Sequence, residues 1–363
     1  MNKCFITKLP SSVDNDNLPV LGQLKINWLK QDNLTNNDSR AIGLRTNDSI
    51  TVKVSGAHFT DSTLTNNLGN TQTITSANGE VWLYVSNDAN AILTIDNKYS
   101  LTELNFVYNN NRSIPRSAYF DIEDIRYCTN LTILKLPKTQ VSGDISIVSN
   151  LTNLTELDLS MTNVSGDINA LSKLTNLITM QLNNTNVSGD INALSKLTNL
   201  TSVPLNNTTV SGDISALSNL TNLTAVQLNN TNVSGNIASL ANLTKLTYLS
   251  ELKNISLTGD MSKIPAEVRF ISQTGRKVST NFTWTANGRQ NATFLAMEGP
   301  IPFDTASMDN MLIDQATCAV DSSASAVYER AIVVFGNRTS ASDAAVETIQ
   351  NMGVTITGVT KQA

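Results

Sequence analysis

A stretch of sixteen residues, TNVSGDINALSKLTNL, occurs twice in this chain, at 162–177 and again at 185–200, an offset of 23 residues. Related tetrapeptides continue the pattern, with steps of 23, 23, 23, 23 and 24 residues between Val141, Val164, Val187, Val210, Val233 and Leu257. A fixed period of about 20–29 residues with leucines at set offsets indicates a solenoid of stacked units. The repeat therefore constrains most of what this chain can fold into.

Each unit carries a short stretch in which apolar and polar residues alternate, as at Leu157 and Leu159. Such alternation predicts a strand with one buried face. Stacked side by side, these strands form a parallel sheet with a spacing of about 4.8 Å. One unit offers about seven apolar side chains, each stabilising by roughly 2 kcal/mol when buried, while ordering each residue costs about 1.5 kcal/mol. We therefore expect the units to fold only as a stack.

Six units, spanning roughly 121–264, resemble leucine-rich repeat proteins, and the VSGDI segment is similar to the LSGxIP segment of the plant-specific subclass without its proline. Where many members of that family carry a ladder of asparagines, this chain has Thr139, Thr162, Thr185, Thr208 and Thr231. We interpret these hydroxyls as structural, because a threonine can satisfy a neighbouring backbone group. The resemblance implies a parallel-sheet solenoid that serves mainly as a binding surface.

The segments on either side of the repeat predict a β-rich α+β chain. We expect an antiparallel, sandwich-like β-domain at 1–110, the solenoid at 111–264, and an irregular β segment with a βαβ-type cap at 265–363. In the first domain, TQTIT and EVWLYV predict a hairpin that turns at Asn78 and Gly79. In the last, strands at 331–335 and 354–357 enclose a helix that opens with the capping signature at 340–343.

Composition excludes several classes of function. Charged residues make up only 15% of the chain and the net charge is −5, with no basic cluster interleaved with aromatics. We therefore predict no binding of nucleic acid. No apolar stretch approaches the roughly 18 residues of a membrane span, so we expect no membrane insertion. The opening MNKCFITKLPSSVDNDN lacks the apolar run of a signal peptide, so we expect no Sec-type export.

A series of acidic residues recurs once per unit and has two interpretations. The series comprises Asp144, Asp167, Asp190 and Asp213, continued by Asp260 and interrupted by Asn236. Stacked carboxylates form a column that could hold Ca²⁺. Alternatively, each aspartate caps the short helical turn that follows it, as in INALSK, and an asparagine would do this equally well. The asparagine in the series favours caps, so we expect no cofactor and keep Ca²⁺ as the alternative.

The polar positions that flank the buried leucines face outward on the predicted concave side. They are Glu156, Asp158, Ser160, Thr179, Gln181, Asn183, Ser202, Asn206, Gln227 and Asn229. This surface is interpreted as a weak carbohydrate-binding face, a protein-docking face or plain solvated surface. No motif supports catalysis, and the single histidine, His58, is interpreted as a solvated loop residue, so we expect no enzyme.

Both ends of the chain, RTSASDAAVETIQNMGVTIT and MNKCFITKLPSSVDNDNLPVLGQL, resemble proteins of crAss-like and related Bacteroidales phages and of prophages in those bacteria. The resemblance implies a non-enzymatic virion component, a head or tail fibre, with the solenoid as spacer or receptor-binding surface. Its expected partners are other virion or surface proteins and a host-surface glycan or protein, and fibres imply homo-oligomers. The alternatives are a cell-surface or secreted bacterial leucine-rich repeat adhesin and, last, a glycan-active enzyme with a repeat-built platform.

Overall fold

The computed structural model describes residues 23–28, 40–57, 59–60, 67–85, 91–106, 118–250, 256–268, 270–272, 282–290, 292, 295–318 and 331–362. Within these residues the strands form one five-stranded and three seven-stranded sheets. The fold is a leucine-rich repeat solenoid between an antiparallel β-domain on its N-terminal side and a helix-bearing cap on its C-terminal side. This confirms the predicted fold class.

Among the described residues, nine strands precede the coils of the solenoid. They are β1 (Leu24–Trp28), β2 (Arg40–Thr46), β3 (Ile50–Ser55), β4 (Phe59–Thr60), β5 (Thr71–Ile74), β6 (Val81–Val85), β7 (Ala91–Ile95), β8 (Leu101–Asn105) and β9 (Ala118–Tyr119). The odd-numbered strands form the five-stranded antiparallel sheet, and β2, β4, β6 and β8 pair antiparallel in a second sheet. The two sheets share one core, in which the rings of Trp28 and Phe106 meet edge to face with centroids 5.9 Å apart.

The predicted hairpin of β5 and β6 is wrong, because these strands belong to different sheets. β5 pairs with β3, while β6 pairs with β2 and β4. The residues between them form a 3-10 turn at Ser76–Asn78, in which the side chain of Asn78 accepts a hydrogen bond of 2.7 Å from the backbone N–H of Thr75. The turn therefore carries the chain from one sheet to the other.

Each coil of the solenoid contributes two short strands. They are β10 (Ile133–Lys135), β11 (Ser142–Asp144), β12 (Glu156–Asp158), β13 (Asn163–Asp167), β14 (Thr179–Gln181), β15 (Asn186–Asp190), β16 (Ser202–Pro204), β17 (Thr209–Asp213), β18 (Ala225–Gln227), β19 (Asn232–Asn236), β20 (Tyr248–Ser250), β21 (Ser256–Asp260), β22 (Phe270–Ser272) and β23 (Phe282–Thr283). The even-numbered strands stack in parallel as the front sheet and the odd-numbered strands as the back sheet. We number coils 1 to 6 by their front strands, which are β10, β12, β14, β16, β18 and β20 in that order.

The front sheet does not stop at the predicted domain boundary near residue 110. β10 pairs in parallel with β8, so the antiparallel strands β8, β2, β6 and β4 extend the front sheet beyond the first coil. Between β14 and β16 the ladder is weakened, because Pro204 has no N–H to donate, and the amide of Leu182 lies 3.3 Å from the carbonyl of Pro204. One sheet thus joins the β-domain to the repeats.

The interior of each coil is filled by its leucines, valines and isoleucines, of which Leu157, Leu159 and Val164 have no solvent exposure. The repeated threonines are buried beside them. Thr185, for example, donates a hydrogen bond of 2.7 Å to the carbonyl of Leu182, three residues earlier in the same coil. This confirms the structural interpretation of the threonine series.

A 3-10 turn follows each described back strand from β11 to β21, and an Asp or Asn caps it. The turns are Ile145–Asn150, Ile168–Lys173, Ile191–Leu194, Ile214–Leu217, Ile237–Leu240 and Met261–Lys263. The carboxylate of Asp190 accepts a hydrogen bond of 2.8 Å from the N–H of Asn192, and Asn236 makes the same contact at 2.9 Å. The capping interpretation of the series is therefore confirmed.

Neighbouring coils fit together at the same place. Gly189 has a φ of +107°, which side chains rarely adopt, and a Cβ there would lie 2.1 Å from Oδ1 of Asp167 in the preceding coil. The glycine of VSGD is therefore required twice, once by its backbone conformation and once by the carboxylate that occupies the space beside it.

The C-terminal cap extends the front sheet with three more parallel strands and two helices. They are β24 (Ala296–Pro302), α1 (Thr305–Gln315), β25 (Ala331–Arg338), α2 (Asp343–Asn351) and β26 (Thr355–Lys361). β25, α2 and β26 form the predicted βαβ unit, and β26 pairs in parallel with β25. In the part of the chain that the structure describes, neither helix has the length and apolar character needed to cross a membrane.

The caps give a first prediction. Replacing Asp190 with alanine removes a cap and should lower the free energy of unfolding by about 1 kcal/mol, whereas Asp190→Asn should leave it nearly unchanged. Urea unfolding followed by circular dichroism measures both. If the aspartates instead held Ca²⁺, adding millimolar CaCl₂ would raise the melting temperature of the wild type, and Asp190→Asn would reduce that increase. We expect CaCl₂ to leave the melting temperature of the wild type unchanged.

Candidate functional site

The ten predicted binding residues lie together on the outward side of the front sheet. They stand in three rows across coils 2 to 5, namely Glu156, Thr179 and Ser202, then Asp158, Gln181 and Gln227, then Ser160, Asn183, Asn206 and Asn229. Gln181 is exposed, Ser160 is buried, and the others are partly exposed. The structure brings these residues onto one surface, and binding by them stays a prediction.

This surface continues onto the N-terminal β-domain, which sequence reasoning had kept apart. Arg45 on β2 stands opposite Glu103 on β8, and Gly43 lies between Trp82 on β6 and Asn105 on β8. The signal was the sequence VWLYV, in which Leu83 and Val85 alternate with Trp82 and Tyr84; in the structure Leu83, Tyr84 and Val85 are buried and Trp82 is partly exposed. What the sequence did not reveal is that β6 and the coils share a sheet.

Trp82 lies across the backbone of β2 at Gly43. A Cβ on that glycine would be 2.8 Å from Cζ2 of the indole and 3.1 Å from Oε1 of Glu80. The absence of a side chain at position 43 therefore allows the indole and the Glu80 carboxylate to come together over the same point of the sheet.

Glu103 is a buried carboxylate on the outward side of β8. Its Oε2 lies 3.5 Å from Nε of Arg45, and its Oε1 accepts a hydrogen bond of 3.2 Å from the side chain of Asn105. Burial raises the pKa of Glu103, and the neighbouring Glu80 carboxyl raises it further, whereas Asn105 and Arg45 act in the opposite direction. The Glu103 carboxyl thus lies between the guanidinium of Arg45 and the carboxyl of Glu80.

Coils 1 and 2 carry charges where later coils are neutral. Lys135 on β10 forms a salt bridge with Glu156 on β12. Beside it, Asp158 accepts hydrogen bonds from the backbone N–H and hydroxyl of Ser160, at 2.9 and 2.6 Å. Burial raises the pKa of Asp158, although these hydrogen bonds and the positive charges of Lys135 and Lys138 oppose the shift.

A row of left-handed residues runs along the end of the front strands and also changes at coil 2. Its members, with φ between 56° and 58°, are Lys138, Met161, Asn184, Asn207 and Asn230. The three asparagines form a ladder, with Nδ2 to Oδ1 distances of 2.8 and 2.5 Å. Met161 is 48% exposed in a conformation that costs a non-glycine residue about 1 kcal/mol or more, and asparagine tolerates it best.

The other candidate groups do not assemble into a reactive site. The Asp series is engaged in caps, and among the described residues no three His, Cys, Asp or Glu side chains group as metal ligands. Cys128 and Cys318 are buried, and burial raises the pKa of both thiols, that of Cys128 to about 12. His58 lies outside the described residues.

No protein-family model matches this chain, and no curated protein matches it. Among solved structures, it resembles the leucine-rich repeat ectodomain of the receptor kinase GASSHO1/SCHENGEN3 from Arabidopsis thaliana, at 18% identity over 67% of this chain and 35% of that chain, with a TM-score of 0.43. A leucine-rich repeat protein of Leptospira interrogans matches at 17% identity over 55% and 50% of the two chains, with a TM-score of 0.43.

Internalin C2 of Listeria monocytogenes matches at 22% identity over 52% of this chain and 83% of that chain, with a TM-score of 0.34. This chain spans about a third to a half of the length of the Arabidopsis and Leptospira proteins. At such identities and TM-scores, these likenesses carry no information about what the chain binds.

The left-handed row gives a second prediction. Met161→Asn should raise the free energy of unfolding by about 1 kcal/mol, because it relieves the backbone and lengthens the amide ladder by one member. The reverse change inside the ladder, Asn207→Met, is the matched control and should lower it by a similar amount. Thermal melts of both variants measure these changes. A loss of stability in Met161→Asn would show that the packing of the Met161 side chain stabilises the fold more than an additional member of the asparagine ladder does.

Proposed function

We propose that this protein is a non-enzymatic binding scaffold whose outward front-sheet face is the binding surface. One observation carries the proposal: the front strands present polar side chains in register on one face, from the β-domain to β14 in one sheet and from β16 onward in the sheet stacked beside it. Such a face offers many fixed donors and acceptors at a strand spacing of about 4.8 Å. Rigid strands hold these groups without the entropy cost that loops incur on binding.

The chemistry of this face suits protein surfaces and sugar hydroxyls. Gln181 and Gln227 flank Pro204 on neighbouring coils, and their amides can each donate and accept hydrogen bonds. Single contacts of this kind are worth about 1 kcal/mol each, so useful avidity requires several coils or several copies of the chain. We therefore propose a homo-oligomer whose partners are surface proteins or glycans.

We further propose that the scaffold works on a phage particle, as a head or tail fibre component that serves as spacer or receptor-binding element. The support is the resemblance of the two chain ends to Bacteroidales phage and prophage proteins, of which 1–22 lies outside the described residues. A bacterial surface adhesin is the alternative location. Mass spectrometry of purified particles should detect the protein among virion components, and its absence from particles of a producing phage would overturn this location without touching the binding role.

The binding role gives a third prediction. The double substitution Gln181→Ala with Gln227→Ala should weaken binding to a glycan or protein ligand by roughly thirtyfold, because two amide contacts of about 1 kcal/mol each are removed. Glycan arrays and a surface-protein binding screen with the full chain identify the ligand and measure the change. The matched control is Asn169→Ala with Asn192→Ala, exposed positions on the 3-10 turns behind the coils. An equal loss in both pairs would place binding away from the front face.

A further inference from the structure

The outward positions of the front sheet are not equally informative. Coils 3 to 5 nearly repeat one another, with Thr179, Ser202 and Ala225 in one row and neutral residues in the next. At the same rows, coils 1 and 2 carry Lys135 and Asp158 among other charges. A repeat array that keeps its outward residues constant in some coils and varies them in others has its specificity where they vary.

These differing coils lie directly beside the β-domain, and together they form what we call the junction patch. It consists of Arg45, Glu80, Trp82, Glu103, Lys135 and Asp158 on or beside the five adjacent front strands β6, β2, β8, β10 and β12. Four strand spacings of about 4.8 Å make it roughly 19 Å wide, the length of about six extended residues. The patch therefore has the size of a short peptide segment.

The charges of this region are unbalanced. With the flanking Glu80 and Lys138 included, the region holds four carboxylates, those of Glu80, Glu103, Glu156 and Asp158, against the three cations of Arg45, Lys135 and Lys138, an excess of one negative charge. Arg45 pairs with Glu103 and Lys135 with Glu156, while Asp158 is held by hydrogen bonds of Ser160 and forms no salt bridge with the described residues. The charge that would complete this surface is positive.

An aromatic side chain stands where that positive charge would be placed. Cζ2 of Trp82 and Oε1 of Glu80 lie within 3.1 Å of one point above Gly43, and the Glu80 carboxyl is adjacent to that of Glu103. An indole face beside carboxylates attracts an ammonium or guanidinium group both by its quadrupole and by Coulomb attraction. Tryptophan and arginine are also the residues that most often dominate protein interfaces.

We infer that the junction patch binds a cationic segment of a partner protein, with an arginine or lysine side chain of that segment contacting Trp82 and Glu80 above the buried Glu103, and a second one reaching Asp158. The inference rests on the proposed binding function and adds the location and the charge of the partner. It also assigns the β-domain a part in recognition, since two of the three contacts come from β6 or from the turn before it.

The test uses the full chain and three labelled hexapeptides in which serine alternates with arginine, glutamine or glutamate, with binding measured by fluorescence anisotropy. The arginine peptide should bind and the other two should not. The combined change Glu80→Gln, Glu103→Gln and Asp158→Asn should weaken its binding at least tenfold, and Trp82→Leu about fivefold. Melting temperatures confirm that each variant is folded.

The matched control is Asp144→Asn, Asp167→Asn and Asp190→Asn, which changes the net charge equally but keeps the caps behind the coils. It should alter binding less than twofold. Equal losses in both triple variants, equal binding of the glutamine peptide, or no binding of the arginine peptide at 1 mM would each overturn the inference. If these occur while Gln181→Ala with Gln227→Ala still weakens a ligand found by screening, the proposed function stands without the cationic partner.

A second readout follows from the tryptophans. The chain has three, and Trp28 and Trp284 are 1% and 2% exposed, so Trp82 is the one that a ligand on the front face can reach. Binding of the arginine peptide should therefore protect tryptophan emission from iodide quenching in the wild type, and no protection should occur in Trp82→Leu. Protection that persists in the variant would overturn the placement of the cation at Trp82.

Discussion

The backbone hydrogen bonds between coils hold this structure together. The front strands of the coils are three residues long, and each inner one bonds to the coils on either side, as the N–H of Leu159 does to the carbonyl of Gln181 at 2.9 Å. A coil without neighbours would leave these groups in water and expose its leucines. Stability is therefore a property of the stack, and the two ends of the stack need structures of their own.

The two ends solve this problem differently. On the N-terminal side, the edge of β8 pairs with β10, so the front strand of the first coil continues the antiparallel sheet of the β-domain. On the C-terminal side, a buried polar network follows the last leucines. Asp314 accepts hydrogen bonds of 2.9 Å from the indole of Trp284 and from the backbone of Asn287 and Gly288, while Arg289, whose pKa burial lowers to about 10, donates to carbonyls at the end of the repeat.

The parts that the sequence predicted well are those set by local, repeated chemistry. The period of 23 residues, the buried threonines and the Asp caps each depend on contacts within one coil or with the next, so a single unit reveals them. The predicted hairpin of β5 and β6 is wrong because it depended on which strands pair over long distances, and a local turn signal such as Asn78-Gly79 does not determine that. Trp82 was missed for the same reason, because its strand reaches the binding face only through β2 and β8.

The contact between Asp167 and Gly189 has a consequence for how this protein can change over generations. Because the carboxylate of one coil fills the space over the glycine of the next, any coil with VSGD in its back strand makes the same contact with its neighbours. Unequal recombination between the DNA segments that encode the identical sixteen-residue stretches would add or delete one whole coil and preserve the Asp–Gly contact between neighbouring coils. The distance between the β-domain and the C-terminal cap could then vary in steps of about 4.8 Å, while both ends of the molecule stay the same.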